Sequence, residues 1–265
     1  MSTQSKDTNR ALQQAGREVR EYGLRLMNDP RSKHRRSVHI GSALGVSQYV
    51  ELAAEVSSLL KPGDRILDWG SGWGHNSYLL KSAGLHVTSF DVRSSYAPMW
   101  PLLFGDHDQQ PVIGDANGAL PFADGCFDAV LSCGVLEHTP DDRVSLAELY
   151  RVLKPGGLLL IYHLPNRYSV TEGLGRMLGR IAHERRYSRS GTIALLDAAG
   201  FTVEDIRYYH WLPRNVLTNR GLGTEYGLFV RLYLALDGLL SRLWPARVFS
   251  TAWKTIARKR QSGEA

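Results

Sequence analysis

The 265-residue chain is 43% hydrophobic, enough for one large domain or two small ones with a substantial core. It lacks an uninterrupted apolar run of about 18 residues, and its first residues lack the apolar stretch of a secretory signal. Cys126 and Cys133, the only cysteines, suggest neither a disulfide framework nor a zinc site, and no other metal site is predicted. We therefore expect a cytoplasmic protein without a membrane-spanning helix.

The net charge of +6 lies at the two ends of the chain. Residues 1–40 carry nine lysines and arginines against four acidic residues, and residues 203–265 carry ten against five. The stretch between them is net acidic. A basic end can face nucleic acid, an anionic membrane or an acidic substrate, and it can equally be a solvated surface.

Residues 1–45 are predicted to form a basic N-terminal extension that is partly helical or acts as a lid. The polar first ten residues are predicted to be disordered, whereas residues 11–28 have a helical pattern. Asp29 and Pro30 end that helix, and a basic connector follows. The rest of the chain, residues 46–265, is predicted to be the main domain.

Short apolar strands and helical patterns alternate through this domain. The predicted helices cover residues 47–60, 75–83, 142–153 and 190–199, and the predicted strands cover 65–69, 86–91, 111–114, 127–132, 157–163 and 201–211. Such alternation favours an α/β, doubly wound fold, in which a mostly parallel sheet has helices on both faces. Right-handed crossovers place the carboxyl ends of the strands along one edge, where ligands bind.

A strongly apolar stretch, residues 226–244, is predicted to be a helix, and residues 247–257 are predicted to form a final strand. The polar residues of the helix cluster roughly on one side: Arg231, Asp237, Ser241 and Arg242. Two interpretations stay open, because the helix could pack in the core or could contact a membrane or cover a lipophilic substrate.

The segment RILDWGSGWGHNS, residues 65–77, joins the first strand to a helix through a bend that contains Gly70, Gly72 and Gly74. Glycine lets the main chain turn sharply and approach a ligand closely. The dinucleotide fingerprint G-x-G-x-x-G is not met, because His75 stands where that motif has its last glycine.

Two carboxylates follow neighbouring strands. Asp91 ends the second strand, where it can accept both hydroxyl protons of a ribose. Asp115 and Ala116 end the third, where a side-chain acceptor and a backbone donor can contact an adenine edge. These strand ends supply groups suited to the parts of an adenosine.

The motifs ILDWGSGWG, FDV at 90–92, GDANGALPFADGCFDAV at 114–130 and LAELYRVLKPGGLLLI at 146–161 resemble those of class I S-adenosylmethionine-dependent methyltransferases, in particular members that act on quinones and other small molecules. The resemblance covers residues 45–210. It implies a Rossmann-like methyltransferase fold of seven strands, with an antiparallel last strand inserted between strands five and six. Residues 247–257 fit that strand, which makes residues 212–246 an apolar helical insertion.

The resemblance also implies which residues bind the cofactor, S-adenosylmethionine. The glycine bend and the end of the fourth strand match the parts that meet its methionine moiety: Asp68, Gly70, Gly72, Gly74, Cys133 and Gly134. The end of the second strand matches the ribose ligand: Asp91 and Val92. Asp115 and Ala116 match the adenine contact.

Methyl transfer to a hydroxyl group benefits from a nearby base, and histidine suits that role because of its pKa. Three histidines are therefore candidate catalytic residues: His138, His163 and His183. His210, on the sixth strand, is expected to lie away from the site. The segments PNRYS and HERRYS resemble acceptor-binding parts of small-molecule members, so the candidate substrate contacts are Asn166, Arg167 and Tyr187.

The leading hypothesis is O-methylation of a small or lipid-linked acceptor, which could be a cell-surface sugar, a glycolipid or a polyprenyl quinol. The basic ends and the apolar insertion would suit peripheral contact with the inner face of a membrane. Two alternatives stay open: a nucleic-acid methyltransferase, which lacks support from any recognisable nucleic-acid-binding module, and a non-catalytic cofactor-binding protein. The oligomeric state is left open.

Overall fold

The computed structural model describes residues 3–29, 39–105, 109–115, 118–177, 179, 183–212, 214 and 227–261. The helices are α1 (Thr3–Asn28), α2 (Ala43–Leu59), α3 (His75–Ser82), α4 (Pro101–Phe104), α5 (Asp142–Val152), α6 (Val170–Met177), α7 (Arg189–Ala198) and α8 (Leu228–Leu240). The strands are β1 (Arg65–Trp69), β2 (His86–Asp91), β3 (Val112–Ile113), β4 (Phe127–Cys133), β5 (Leu153–Pro165), β6 (Phe201–Tyr209) and β7 (Ala252–Lys259).

The seven strands form one sheet in the order β3-β2-β1-β4-β5-β7-β6. β2 and β3, β1 and β4, and β4 and β5 pair in parallel, whereas β7 is antiparallel to both β5 and β6. This confirms the predicted fold class and the insertion of the last strand between strands five and six. β7 begins at Ala252 rather than at residue 247, because Ala246–Phe249 form a 3₁₀ turn.

The contacts divide the chain into two compact units. The first comprises residues 1–64, 71–113 and 214–234, and the second comprises residues 65–70, 114–213 and 235–265. In the second unit β1, β4 and β5 are almost continuously buried, which is usual for strands whose two faces are both covered.

Within the first unit, α1 is a packed element. Its buried side chains recur at helical spacing: Leu12, Ala15, Val19, Tyr22 and Leu26. Tyr78 on α3 donates to the Glu18 carboxylate at 2.6 Å, and a Cβ on Gly23 would lie only 2.5 Å from the backbone of Ile40. The prediction that the first ten residues are disordered is wrong from Thr3 onward. Helix α1 already begins at Thr3, so its polar first turns are helical as well.

Helix α8 presents apolar side chains to solvent. On it and in the turn that follows, the exposed apolar residues are Leu228, Phe229, Leu232, Leu236, Leu239, Leu243 and Trp244. Its buried positions include Val230 and, unexpectedly, Asp237, both 1% exposed. The interpretation of α8 as a helix buried in the core is therefore wrong for this apolar face. The polar residues of the helix also differ in exposure, because Arg231 and Arg242 are exposed whereas Asp237 is buried. No helix in the described ranges is long and apolar enough to cross a membrane.

Candidate cofactor and acceptor site

The part of the glycine bend in the first unit, residues 71–74, is held by hydrogen bonds to its main chain. Ser71 N–H donates to the Phe90 carbonyl at 2.9 Å, and Gly74 N–H donates to the Ser71 carbonyl at 2.9 Å. The Trp100 indole donates to the Gly72 carbonyl at 3.0 Å. Trp100 was not predicted from the sequence, because 28 residues separate it from its partner.

The three glycines of the bend all have positive φ, but their surroundings differ. A Cβ at Gly70 would lie 2.4 Å from the Val135 side chain, and one at Gly74 would lie 2.8 Å from Trp100. At Gly72, by contrast, no atom of the described residues lies within 4 Å of that position. Gly70 and Gly74 thus permit close packing, whereas Gly72 leaves main chain open to a ligand.

Asp91 lies at the end of β2 and is 6% exposed. One of its carboxylate oxygens accepts the Gly72 N–H at 2.7 Å, and the other accepts the Arg93 N–H at 2.8 Å. Asp91 therefore orients the open glycine as well as presenting a carboxylate at the strand end. The side chain of the neighbouring Val92 is exposed.

The other predicted cofactor residues lie in the second unit. Asp68 is buried on β1, Asp115 is exposed two residues after β3, and Cys133 is half-buried at the end of β4. Gly134 follows with φ 66° and donates its N–H to the Tyr162 carbonyl at 2.9 Å. Ala116 lies outside the described residues.

Gly134 has two chemically active neighbours. A Cβ added to it would lie 3.8 Å from Oε1 of Glu137 and 3.9 Å from Cβ of His163. The segment predicted to meet the methionine moiety thus lies beside the Glu137 carboxylate and the Cβ of His163. His163 is one of the three candidate histidines, whereas Glu137 was not predicted.

The other two candidate histidines, His138 and His183, lie close to Glu137. The ring centroids of His138 and His183 are 5.4 Å apart, and ligand-type atoms of Glu137, His138 and His183 all lie within 4.8 Å of one another. His183 is fixed by Glu172 on α6, whose carboxylate contacts its Nδ1 at 3.0 Å and accepts its backbone N–H at 2.9 Å. We call Glu137, His138, Glu172 and His183 the acidic–histidine cluster.

Burial and neighbouring charges perturb this cluster. Burial raises the pKa of Glu137 to about 7. The hydrogen bond to Glu172 raises the pKa of His183. For Glu172, burial favours a higher pKa, but the hydrogen bonds from His183 outweigh it and hold the pKa below its usual range. Glu172 is therefore an ionised acceptor and His183 Nδ1 is the donor.

His163 adopts a left-handed backbone conformation, with φ 59°, where β5 shifts register against β7. Such a bulge redirects a side chain. Its ring centroid lies 5.4 Å from that of His210, so His210 is a neighbour of this candidate histidine. His210 contacts Asp237 at 3.2 Å, and Asp237 also accepts the backbone N–H groups of Trp211 and Leu212 at 2.7 and 2.8 Å.

The three predicted substrate contacts occupy different environments. Asn166 is fully buried, and its side-chain amide donates to the carbonyls of Val248 and Ser250, which indicates a structural role. Tyr187 is also buried and donates to Asp142 at 3.1 Å. Arg167 is exposed, so it is the predicted contact whose charge remains accessible.

These features fit S-adenosylmethionine. The open main chain at Gly72, held by Asp91, suits a ligand that needs close backbone approach. Residues 67–161 match the family model of the methyltransferase domain. The chain carries a class I S-adenosylmethionine-dependent methyltransferase domain.

Solved methyltransferases share the fold of this domain. The phosphoethanolamine N-methyltransferase 2 of Haemonchus contortus, solved in complex with S-adenosyl-L-methionine, superposes with a TM-score of 0.56 at 21% identity. The superposition covers 82% of this chain and 53% of that one. At this identity the similarity concerns the fold alone.

Curated relatives resemble the methyltransferase domain more closely in sequence. A demethylmenaquinone methyltransferase of Renibacterium salmoninarum is 35% identical over 143 residues, which cover 52% of this chain and 59% of that protein. A 2-methyl-6-phytyl-1,4-hydroquinone methyltransferase of Synechocystis sp. is 29% identical over 161 residues, which cover 57% of this chain and 51% of that protein. The chain thus spans little more than half the length of these curated relatives.

Proposed function

We propose that the protein transfers a methyl group from S-adenosylmethionine to a hydroxyl-bearing, lipid-linked aromatic acceptor, on oxygen. The observation that carries the proposal is the Glu137 carboxylate beside Gly134, where Oε1 lies 3.8 Å from the position of an added Cβ and the Cβ of His163 lies 3.9 Å from it. A carboxylate can accept a hydrogen bond from a hydroxyl group next to the segment assigned to the methionine moiety, and it can take the proton that a hydroxyl acceptor has to lose.

The cofactor would be held by the residues predicted from the sequence. The main chain at Gly72 and Gly134 would meet the methionine moiety, Asp91 the ribose and Asp115 the adenine. When bound, S-adenosylmethionine supplies a methyl group already activated by its sulfonium, so the protein mainly has to orient the acceptor, which can be worth about 7 kcal/mol or more. His138, His163 and His183 are proposed to orient and hydrogen-bond it.

A prenylated hydroquinone is the acceptor class best supported. Two curated relatives are named for quinone and hydroquinone acceptors. The exposed apolar face of α8 suits a peripheral approach to the lipid that would dissolve such an acceptor. Exposed arginines on and after the same helix, Arg231, Arg242 and Arg247, would favour an anionic membrane surface.

The test is methyl transfer from labelled cofactor to reduced naphthoquinones and benzoquinones with short prenyl tails in detergent micelles. We expect a singly methylated product, with mass spectrometric fragmentation placing the methyl group on oxygen. Asp91→Ala should lose transfer together with calorimetric cofactor affinity, whereas Asp64→Ala, on an exposed turn before β1, should lose neither.

Other outcomes would redirect the proposal. A methyl group on a ring carbon would keep the acceptor class and overturn the O-methylation. Transfer to glycans, glycolipids or tRNA but to no hydroquinone would overturn the acceptor class. Cofactor binding without any transfer would favour the non-catalytic alternative.

A further inference from the structure

We propose that Glu137, rather than a histidine, accepts the hydroxyl proton of the acceptor. This inference rests on the proposed function. Glu137 lies in the 3₁₀ turn that follows β4, immediately after the segment assigned to the cofactor. Its Oε1 lies 3.8 Å from the position that a Cβ on Gly134 would take, nearer than any other described atom outside the adjoining residues.

The carboxylate of Glu137 is buried, but one of its two oxygens has no hydrogen-bond partner among the described residues. Its side chain is only 2% exposed. Its Oε2 atom is buried and has no hydrogen-bond partner among the described residues. A buried carboxylate oxygen is costly to leave unsatisfied, so an acceptor hydroxyl that donates to it would recover a strong hydrogen bond.

Charged groups from three segments face Glu137. His138 is on its own turn, at 3.9 Å from Oε1. Glu172 on α6 and His183 and Arg185 before α7 also act on its charge. Arg185 also braces the turn itself, because its guanidinium donates to the carbonyls of Thr139 and Pro140 at 2.9 and 3.0 Å. The turn that carries Glu137 is thus held against this segment.

His183 is poorly suited to be the base. Its Nδ1 donates to Glu172, and that hydrogen bond raises the pKa of the ring, which favours the imidazolium. A protonated ring beside Glu137 can stabilise its negative charge but cannot take a proton. Burial raises the pKa of Glu137 to about 7, close to the pH at which a general base works best.

In the transfer, Glu137 takes the proton from the acceptor hydroxyl. The oxygen uses a lone pair to form the new bond to the methyl carbon, and the electron pair of the methyl–sulfur bond stays on sulfur. Glu137 leaves the step as a neutral carboxyl and returns its proton to water once the product departs. His183 and Glu172 are positioning residues.

The experiment compares Glu137→Gln with Glu21→Gln, which changes an exposed glutamate on α1. We expect Glu137→Gln to lower kcat by about 10²- to 10⁴-fold while calorimetric cofactor affinity stays unchanged. Wild-type kcat/KM should rise tenfold per pH unit up to about pH 7 and then level off, and this limb should vanish in Glu137→Gln. Glu21→Gln should match the wild type.

A second readout needs no turnover. The folded-state pKa of about 7 lies above the ordinary glutamate value of 4.5, so Glu137 stabilises the fold fully below pH 4.5 and loses this contribution as the pH rises through 7. Equilibrium unfolding of the cofactor-free protein should show this loss in the wild type and in Glu21→Gln but not in Glu137→Gln.

If Glu137→Gln keeps the wild-type turnover and the same rise of kcat/KM with pH, the inference is overturned and the proposed function stays intact. Transfer that a chelator abolishes and Zn²⁺ restores would assign the cluster to a bound cation and also overturn it. If the wild type methylates no hydroxyl-bearing acceptor, the proposed function fails and the inference falls with it, even where the unfolding data still report a buried carboxyl.

Discussion

At the scale of single residues, glycines that look alike in sequence have different roles. Gly70 and Gly74 leave no room for a Cβ because of Val135 and Trp100, whereas Gly72 faces open space. The positive φ explains why all three are glycine, but only the neighbours show which of them can meet a ligand. The cofactor contact assigned to the bend is therefore best attributed to Gly72.

We predict that two substitutions in this bend differ in their effects on stability and on cofactor binding. Gly70→Ala should lower the free energy of unfolding by about 2–4 kcal/mol, because its Cβ would overlap Val135. Gly72→Ala should cost only about 1–2 kcal/mol, for the left-handed backbone, but should weaken cofactor binding at least tenfold. Urea unfolding and calorimetry measure the two quantities. Undiminished affinity in Gly72→Ala would remove this glycine from the cofactor site.

The acidic–histidine cluster also shows why residue type alone does not identify the catalytic base. Histidine is the usual choice for a base near neutral pH, and the sequence directs attention to His138 and His183. In the structure the hydrogen bond to Glu172 makes His183 a donor, while burial gives Glu137 the pKa expected of a base. Both effects depend on neighbours distant in sequence.

At the scale of elements, α8 is joined to the end of β6 through one carboxylate. Asp237 is 1% exposed, contacts His210, and accepts the N–H groups of Trp211 and Leu212. His210 in turn lies against His163. The apolar insertion therefore supplies a buried anchor to the candidate acceptor side, in addition to its exposed face.

Replacing Asp237 should lower the free energy of unfolding. Asp237→Ala leaves two backbone N–H groups without their acceptor and should lower the free energy of unfolding by roughly 3–5 kcal/mol. Asp237→Asn retains an oxygen for those donors and should cost about half as much. Chemical denaturation gives both values. Equal, small losses in the two variants would mean that the carboxylate is not the link between α8 and β6.

At the scale of the whole molecule, charge and exposed apolar surface have to be considered together. The net charge of +6 belongs to the ends of the chain, and the C-terminal basic region includes α8 with its exposed leucines and arginines. A basic and apolar surface suits an anionic lipid layer, because electrostatic attraction and burial of side chains add.

We expect the wild type to co-sediment with vesicles that contain phosphatidylglycerol and to bind phosphatidylcholine vesicles more weakly. The double variant Leu232→Ser/Leu239→Ser should lose at least about tenfold in affinity, since two half-exposed leucines would no longer enter the lipid. Leu59→Ser, at an exposed leucine on α2, is the matched control and should bind like the wild type. Absence of wild-type binding at low salt would exclude the membrane contact.

The sequence by itself determined the order of the elements and the fold. Hydrophobic periodicity and the turn residues are local, so strands such as β1 and β4 and helices such as α5 lie within a few residues of their predicted bounds. The motifs that resemble the methyltransferase family also indicated the inserted last strand. Even the glycine bend could be located, because its conformation requires glycine.

Only the tertiary structure decided the proton chemistry and the environment of the polar residues. The environment of Glu137, the pairing of His183 with Glu172, and the anchoring of Asp237 depend on residues that are 11 to 48 positions apart in the sequence. Asn166, predicted as a substrate contact, is buried with its amide bound to backbone carbonyls for the same reason. The proton affinity and the solvation of a side chain depend on its neighbours in the folded protein, and the hydrophobic periodicity of the sequence does not specify these neighbours.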